Sequence, residues 1–386
     1  MKNNFFLPNY KDGSIVNLMS SIKKSFGGKS LYEPLKGFDV KKISGKNIIL
    51  LVIDGLGYEY LKNYSKGSFL YKNLKGKMTS VFPATTASAV TSFFTGVAPQ
   101  QHGLTGWFMY LKEIGTVSTI LPFTARAGDL QIENSNIEFK DVFNEKSFFE
   151  KLKANSFALR HEDYSDSIYS ISTSKGAKRL SFSKLSDFFE QIKYAMQENN
   201  RKFILGYWAK FDSICHRKGT DSKEALKHFM QLDKKISNLA KSLKNRNTTI
   251  IITADHGLVN TKEKNKIIKL ENHPELAEAL SMPLSGEPRA AYCYVKPQKV
   301  KQFENYVKTK LKNICEIHKS EELIQKNYFG LYKPNEKLKD RIGDYTLIMK
   351  DNFIMRDIVL GEDQNIFVGN HGGVSKEEMF VPLIVI

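Results

Sequence analysis

Aliphatic and β-branched runs alternate along this chain with stretches of helical spacing, and several of the runs stop at an acidic or imidazole side chain. Lys46 to Ile53 (KNIILLVI) reads as a strand buried on both faces that closes on Asp54-Gly55. Lys77 to Phe82, Arg201 to Ala209 (RKFILGYWA) and the TTIIIT run from Thr248 have the same character, and the last ends in Asp255-His256-Gly257. Val381 to Ile386 makes a terminal strand. Between these runs, Leu185, Phe188, Phe189, Ile192 and Met196 share one face of a helix predicted over Lys184 to Asn199. Ala225, Phe229, Leu232, Ile236, Leu239 and Leu243 line a second. Pro83, the small residues after it and Gly96 mark a strand-to-helix turn with the helix starting near Thr86.

Strands alternating with helices predict an α/β fold, a central mostly parallel sheet sandwiched by helices. Ala290 to Val295, Val300 to Ile314 and Tyr345 to Met349 form a strand, helix and strand of their own, a small α/β excursion. The expected division is a catalytic domain of residues 1–286 and 362–386 with a cap insertion at 287–361. Gly103 to Ser183 reads as loops and short elements over the main sheet. Gly286-Glu287-Pro288-Arg289 reads as a solvent-facing turn, with a contact between Arg289 and an anionic substrate as the other reading.

Composition narrows the function classes. The longest apolar runs, Asn47 to Ile53 and Phe380 to Ile386, fall far below the roughly 20 residues that span a bilayer. No membrane span is expected, and the N-terminal Phe-Phe-Leu run is too short for an export signal. Cys215, Cys293 and Cys315 lack CxxC spacing and are odd in number, which fits a reducing cytoplasm. The net charge of +17 keeps a Lys-rich surface solvated or draws anions to a cleft. Nucleic acid is the weaker partner, because the basic residues are dispersed through Lys223 to Lys244 and Lys296 to Lys312.

The chemistry sits at the ends of the runs. Asp54 alone reads as a turn residue, and Thr85 or Thr86 alone as a helix cap. A hydroxyl at a helix N-terminus is nonetheless beside free N–H groups and the positive end of the dipole, which favour an oxyanion. Asp212 and His216 share a face if the turn between them is helical, and both could then reach one metal. His371, followed by two glycines, has room for a metal close to the backbone.

In order, Asp54, Pro83-x-x-Thr86 with Thr95-Gly96, Gln101-His102-Gly103, Asp212-x-x-x-His216, Asp255-His256-Gly257 and His371-Gly372-Gly373 resemble the alkaline phosphatase superfamily. Within it the likeness is to type I phosphodiesterases/nucleotide pyrophosphatases, over about Lys46 to Ile386. The resemblance implies two divalent metal ions, zinc by preference. One would be held by Asp54, Asp255, His256 and the Thr86 hydroxyl, the other by Asp212, His216 and His371. It implies that Thr86 attacks phosphorus to form a covalent phosphothreonine that water then hydrolyses, with a small, nucleotide-like phosphate ester as substrate. Thr85 is the local competitor, and the spacing to Thr95-Gly96 favours Thr86.

The sequence also departs from the pattern. Eukaryotic members carry Pro-Asn just after the nucleophile, the Asn contacting a phosphate oxygen, where this chain has Ser88 and Ala89. Ser88, Ser92 or a backbone N–H replaces that donor, or the substrate differs. The Cys-x-Pro-x-Arg region of sulfatases is absent. A zinc-dependent phosphodiesterase is the leading expectation. A phosphomonoesterase or phosphonoacetate-type hydrolase on the same site, and an inactive metal-retaining anion-binding protein, are the alternatives.

Overall fold

The computed structural model describes residues 5–132, 137–362 and 366–386. Its main sheet has seven strands: β1 (Asn47–Ile53), β2 (Leu74–Thr79), β3 (Asn155–His161), β4 (Lys178–Phe182), β5 (Lys202–Trp208), β6 (Thr248–Thr253) and β7 (Phe380–Val385). They lie in the order β2-β7-β6-β1-β5-β3-β4. β1 pairs in parallel with β5 and β6, β3 in parallel with β4 and β5, and only β7 runs antiparallel to its neighbours. The mostly parallel sheet flanked by helices is therefore the one the alternating pattern predicts.

Burial accounts for the strand sequences. β5 is buried along its whole length and β1 at every residue after Asn47, so beyond Lys202 at the start of β5 neither face carries charge. Helix Lys223–Ser242 opens with the Ser222 hydroxyl accepting from Ala225 N–H at 3.1 Å and buries Ala225, Phe229, Leu232, Ile236 and Leu239. Each large side chain on that face contributes about 2 kcal/mol by leaving water. Register then aligns the strand ends: Ile53 faces Trp208, and Val52 faces Thr253. Asp54, Asp255 and the turn into Asp212 consequently emerge on one rim.

The structure corrects four expectations. Gly103 to Ser183 does not only lie over the main sheet as loops and short elements, because it supplies β3 and β4 to that sheet. β4 is an edge strand with an exposed, charged start (Lys178, Arg179), which hides its period. Helix Leu185–Ala195 stops short of Asn199, although Met196 stays buried below it. β2 ends at Thr79 rather than Phe82: Ser80 N–H donates to the Met379 carbonyl, its hydroxyl donates to the Asp255 carbonyl, and Phe82 turns against Tyr328 and Phe329. Arg289 is neither on a solvent-facing turn nor free to meet an anion, being 1% exposed and paired with Glu378.

A second seven-stranded sheet combines both excursions. Its order is Cys315–Lys319, Tyr345–Met349, Ala290–Cys293, Ser285–Glu287, Phe108–Leu111, Thr116–Thr119 and Thr124–Ala125. Gly286 pairs with Phe108 where the two parts meet. Among the described residues no helix is long and apolar enough to cross a membrane.

Arg289 fastens this second sheet to the main one. Its Nε and Nη2 donate to the two oxygens of Glu378 at 3.0 and 2.7 Å, and Nη1 donates to the Phe353 carbonyl at 2.6 Å. Glu378 also accepts from Gly373 N–H, beside His371. Burial would raise the Glu378 carboxyl, but the Arg289 charge outweighs it and holds the group below the usual glutamate range. Stability from this pair is present above the ordinary glutamate pKa and is lost as pH falls through the depressed value. Arg289→Ala is expected to cost about 3–5 kcal/mol in urea denaturation at neutral pH, with a smaller loss in acid. An equal loss at both pH values would contradict the assignment.

Candidate active site

Each candidate side chain reaches the rim by a short local route. After β1, Gly55 turns at φ +72°, and its N–H donates to Asp255 Oδ1 at 3.1 Å. After β5, helix Lys210–Lys218 carries Asp212 in its first turn and His216 one turn on, so the two converge with Oδ2 2.9 Å from Nε2. After β6 come Asp255 and His256, both fully buried. His371 follows the short strand Gly369–Asn370, which pairs with Val259–Asn260. Thr86 is the first residue of helix Thr86–Thr95 and is 8% exposed.

Proton positions define the chemistry of the cluster. His216 Nδ1 lies 2.7 Å from the Gly369 carbonyl and His256 Nδ1 lies 3.1 Å from the Gly257 carbonyl. A carbonyl only accepts, so both Nδ1 atoms carry hydrogen and a neutral ring presents a bare lone pair at Nε2. The Nε2 of His216 faces Asp212, while that of His256 faces Asp54 Oδ1 at 3.3 Å, Asp255 Oδ2 at 3.5 Å and Thr86 Oγ1 at 3.1 Å. Asp54 Oδ1, Asp212 Oδ1, Asp255 Oδ2 and His371 Nδ1 are buried with no hydrogen-bond partner among the described residues. Acceptors facing acceptors in a dry pocket require a proton or a cation between them.

Ligand atoms of Asp54, Asp255 and His256 lie within 4.8 Å of one another, and so do those of Asp212, His256 and His371. The carboxylates and neutral imidazoles of these sets fit a divalent transition metal. His256 belongs to both sets, its ring stacked on that of His371 with centroids 3.9 Å apart. His216 stands outside both and is linked to them through Asp212. Burial and the adjacent Asp255 and Asp212 charges push the Asp54 carboxyl well up, and burial and the His256 charge push His371 well down. For Asp212, burial is outweighed by His216, His371 and His256, which hold it well below the usual range.

Periodicity and spacing missed several contributors. The Tyr207 hydroxyl donates to Asp54 Oδ2, fixing the carboxylate from β5. Glu287 is buried beside Thr85 rather than on a surface turn; burial, opposed by the Thr85 hydroxyl and the Trp107 N–H, pushes it up to about 7. A Tyr inside a buried strand, or a Glu in a Gly-Glu-Pro-Arg run, carries no periodic signal of a site. The Gln101-His102-Gly103 motif lies below the site as a brace: His102 Nε2 is 3.1 Å from Ser92 Oγ, and Nδ1 accepts from Leu104 N–H.

This arrangement, acids and imidazoles on the rim of a parallel sheet around a helix-borne threonine, defines a phosphoric ester hydrolase of the alkaline phosphatase superfamily. The family model for type I phosphodiesterase/nucleotide pyrophosphatase matches residues 48–373, and the chain belongs to that family. Murine ectonucleotide pyrophosphatase/phosphodiesterase 5 is similar in structure, with a TM-score of 0.65 and 17% identity over 88% of this chain and 87% of that one. An inactive threonine-to-alanine form of it, solved with AMP, superposes with a TM-score of 0.66 at 17% identity, again over 88% of this chain and 87% of that one. Phosphonoacetate hydrolase from Sinorhizobium meliloti 1021, solved with phosphonoformate, gives 0.64 and 17% over 88% and 89%. Comparison with curated proteins by sequence yields no match.

Backbone crowding holds the Asp255-His256 turn in place. A Cβ on Gly257 would lie 2.1 Å from the Glu377 carbonyl oxygen and 2.9 Å from Gly57 Cα, neither of which can rotate away. Gly76 in β2 has open space. Gly257→Ala is expected to cost at least about 2 kcal/mol in chemical denaturation, and Gly76→Ala less than about 0.5 kcal/mol. Equal effects would mean that the contact is relieved at no cost.

Proposed function

We propose that the protein is a metal-dependent phosphodiesterase/nucleotide pyrophosphatase acting on nucleotide-like diesters or pyrophosphate linkages through a covalent phosphothreonine at Thr86. The observation that carries this reading is the convergence of the unpartnered Asp54 and Asp255 oxygens on His256 Nε2, the atom that also meets the Thr86 hydroxyl. Two ions are proposed: one at Asp54, Asp255, His256 and Thr86, the other at Asp212, His216 and His371, and the mixed carboxylate and imidazole donors favour zinc. When bound, such ions lower the pKa of a coordinated hydroxyl or water and neutralise the attacking and leaving oxygens.

The residues of this chain supply the rest. Thr86 stands with its hydroxyl 3.1 Å from His256 Nε2, inside the donor set that would hold the first ion, and so is placed to attack phosphorus. Helix Thr86–Thr95 points its positive end at the phosphoryl oxygens. Tyr207 holds Asp54 and the Gly369 carbonyl holds His216, so the donor set does not reorganise during the reaction. Residues 287–361 are proposed as a cap on a catalytic unit of 1–286 and 362–386, with 108–125 contributing to the cap's sheet. The three free buried cysteines favour a cytoplasmic location.

Two neighbours bear on substrate. The inactive form of the murine protein binds AMP and is disabled by a threonine-to-alanine change, which supports a nucleotide-type ligand and a threonine nucleophile here. The equal likeness to a phosphonoacetate hydrolase supports C–P bond hydrolysis on the same residues as the second reading.

Assays on bis-p-nitrophenyl phosphate, p-nitrophenyl phosphate and phosphonoacetate, before and after chelation, separate these. Turnover of the diester that is abolished by chelation and restored by zinc is expected. Preference for either other substrate would transfer the assignment to the monoesterase or phosphonate reading, and no turnover with retained anion binding would favour a binding protein. Thr86→Ala is expected to lower diester turnover by at least about a thousandfold while the ion at Asp212, His216 and His371 is retained, and undiminished turnover would remove Thr86 as the nucleophile. His256→Ala is expected to lower both activity and metal stoichiometry, and unchanged stoichiometry would remove it from the ligand set.

A further inference from the structure

Thr85 occupies the position before helix Thr86–Thr95, with extended backbone angles of φ −142° and ψ 154°, the ordinary geometry of an N-cap. A threonine there normally turns its hydroxyl back to accept from the N–H two or three residues on, which here belongs to Ala87 or Ser88. Thr85 makes no such bond. Its hydroxyl instead donates to Glu287 Oε1 at 2.6 Å. The same carboxylate oxygen accepts the Trp107 N–H at 2.7 Å. Glu287 is 6% exposed and its stem packs on the turn after His371, where a Cβ on Gly372 would fall 2.6 Å from Glu287 Cβ. The carboxylate is thus pinned from three sides and cannot follow a moving threonine.

The consequence lies in the helix's first turn. Thr85 N–H is used by the Pro83 carbonyl, and Ala89 N–H by the Thr85 carbonyl. The N–H groups of Thr86, Ala87 and Ser88 have no acceptor among the described residues. They belong to the turn whose Thr86 hydroxyl lies 3.1 Å from His256 Nε2, the atom that the unpartnered oxygens of Asp54 and Asp255 also face. Ser92, one of the side chains able to replace the missing asparagine, is already committed to the Ser88 carbonyl and to His102, whereas the buried Ser88 hydroxyl has no partner among the described residues and stands as a further donor beside the N–H groups.

We infer that Glu287 is a positioning residue that draws the Thr85 hydroxyl off the nucleophile helix and so keeps its first-turn N–H groups open for the phosphoryl oxygens of the substrate. This rests on Thr86 as the nucleophile. Backbone donors then do what an asparagine at the Ala89 position would do, and the second sheet, through Glu287, becomes part of the catalytic geometry. Donors of this kind act most strongly on the charge that builds up in the transition state, so their loss falls on kcat.

The test is a rescue in the full-length, metal-loaded protein. Glu287→Ala lets the Thr85 hydroxyl cap the helix, and kcat on bis-p-nitrophenyl phosphate is expected to fall roughly ten- to a hundredfold, with KM changed less than about threefold. Adding Thr85→Ala removes the competing hydroxyl and is expected to recover most of that loss. Glu287→Gln, whose amide oxygen still accepts both donors, is expected to stay within about threefold of wild type. Glu287→Met fills the space without an acceptor, carries the same expectation as Glu287→Ala and serves where the alanine form does not fold. A residue that merely braced the fold would lose further activity on the second truncation. Absence of rescue, with metal content equal to wild type, overturns the proposal.

Calorimetric titration with inorganic phosphate separates the two levels, because it needs no turnover. Weakened phosphate binding in Glu287→Ala that returns in the double variant, in a protein hydrolysing none of the esters, would sink the diesterase reading and leave the role of Glu287 standing. Diester turnover without rescue would sink the role of Glu287 alone. A wild type that neither binds phosphate nor turns over any ester would sink both.

Discussion

Buried acceptors with nothing between them are the constraint on which the rest of this structure depends. The Asp54, Asp212 and Asp255 carboxylates and the lone pairs of His216 and His256 meet in a space from which water is largely excluded. Without a compensating positive charge such a cluster repels itself, and in low dielectric the repulsion is several times stronger than in water. A chain selected for stability alone would replace these groups with apolar ones. Their retention at the aligned ends of β1, β5 and β6 makes sense where cations or a reacting phosphoryl group complete the set.

The same constraint explains how firmly the surroundings are braced. Tyr207 grips Asp54, the backbone of Gly55 and His256 grips Asp255 Oδ1, and the Gly369 carbonyl sets the His216 tautomer. Each removes a motion by which a charged group would escape toward solvent. The second sheet is held in turn by buried charge. Arg289 joins it to Glu378 beside the His371 turn, and Arg126 joins the Thr124–Ala125 strand to Asp357 and Glu362. Salt bridges with so little solvent contact contribute little to net stability, but breaking one is costly, so the Arg289–Glu378 pair favours a single arrangement of the two sheets.

Much of the site was legible because its residues end strongly periodic elements. Asp255-His256 closes a β-branched run, Asp212 and His216 open a helix after another, and Thr86 follows the Pro83 turn, so pattern and chemistry coincide. Elsewhere they part. β3 and β4 escaped notice for different reasons: β3 is an inner strand whose buried run is broken by Ser156 and Arg160, and β4 is an edge strand whose charged start resembles a loop. Glu287 and Arg289 sit in one Gly-Glu-Pro-Arg turn whose polarity reads as solvent exposure, yet both are buried. Their partners, Thr85 and Glu378, lie far away in sequence, and only the fold brings them within reach.

Charge balance gives the last step. The net charge of +17 is spread over the outer helices, where it attracts anions over distances comparable to the Debye length of about 8 Å. Close to Thr86 the balance differs. Of the buried arginines, Arg289 and Arg126 are paired with carboxylates, Arg341 with Glu113, and Arg160 lies over the Phe94 ring bonded to Ser170 and Thr173. None is left to meet a second negative charge on a substrate. With the two proposed divalent ions bound, the three aspartates would leave a single positive charge, which Glu287 beside Thr85, pushed up to about 7 by burial, offsets only in part. A phosphodiester, which carries one negative charge, suits that balance better than a monoester, which carries two. On the proposed reading, the surface field gathers anions of both kinds and the metal-loaded groups around Thr86 suit the less charged.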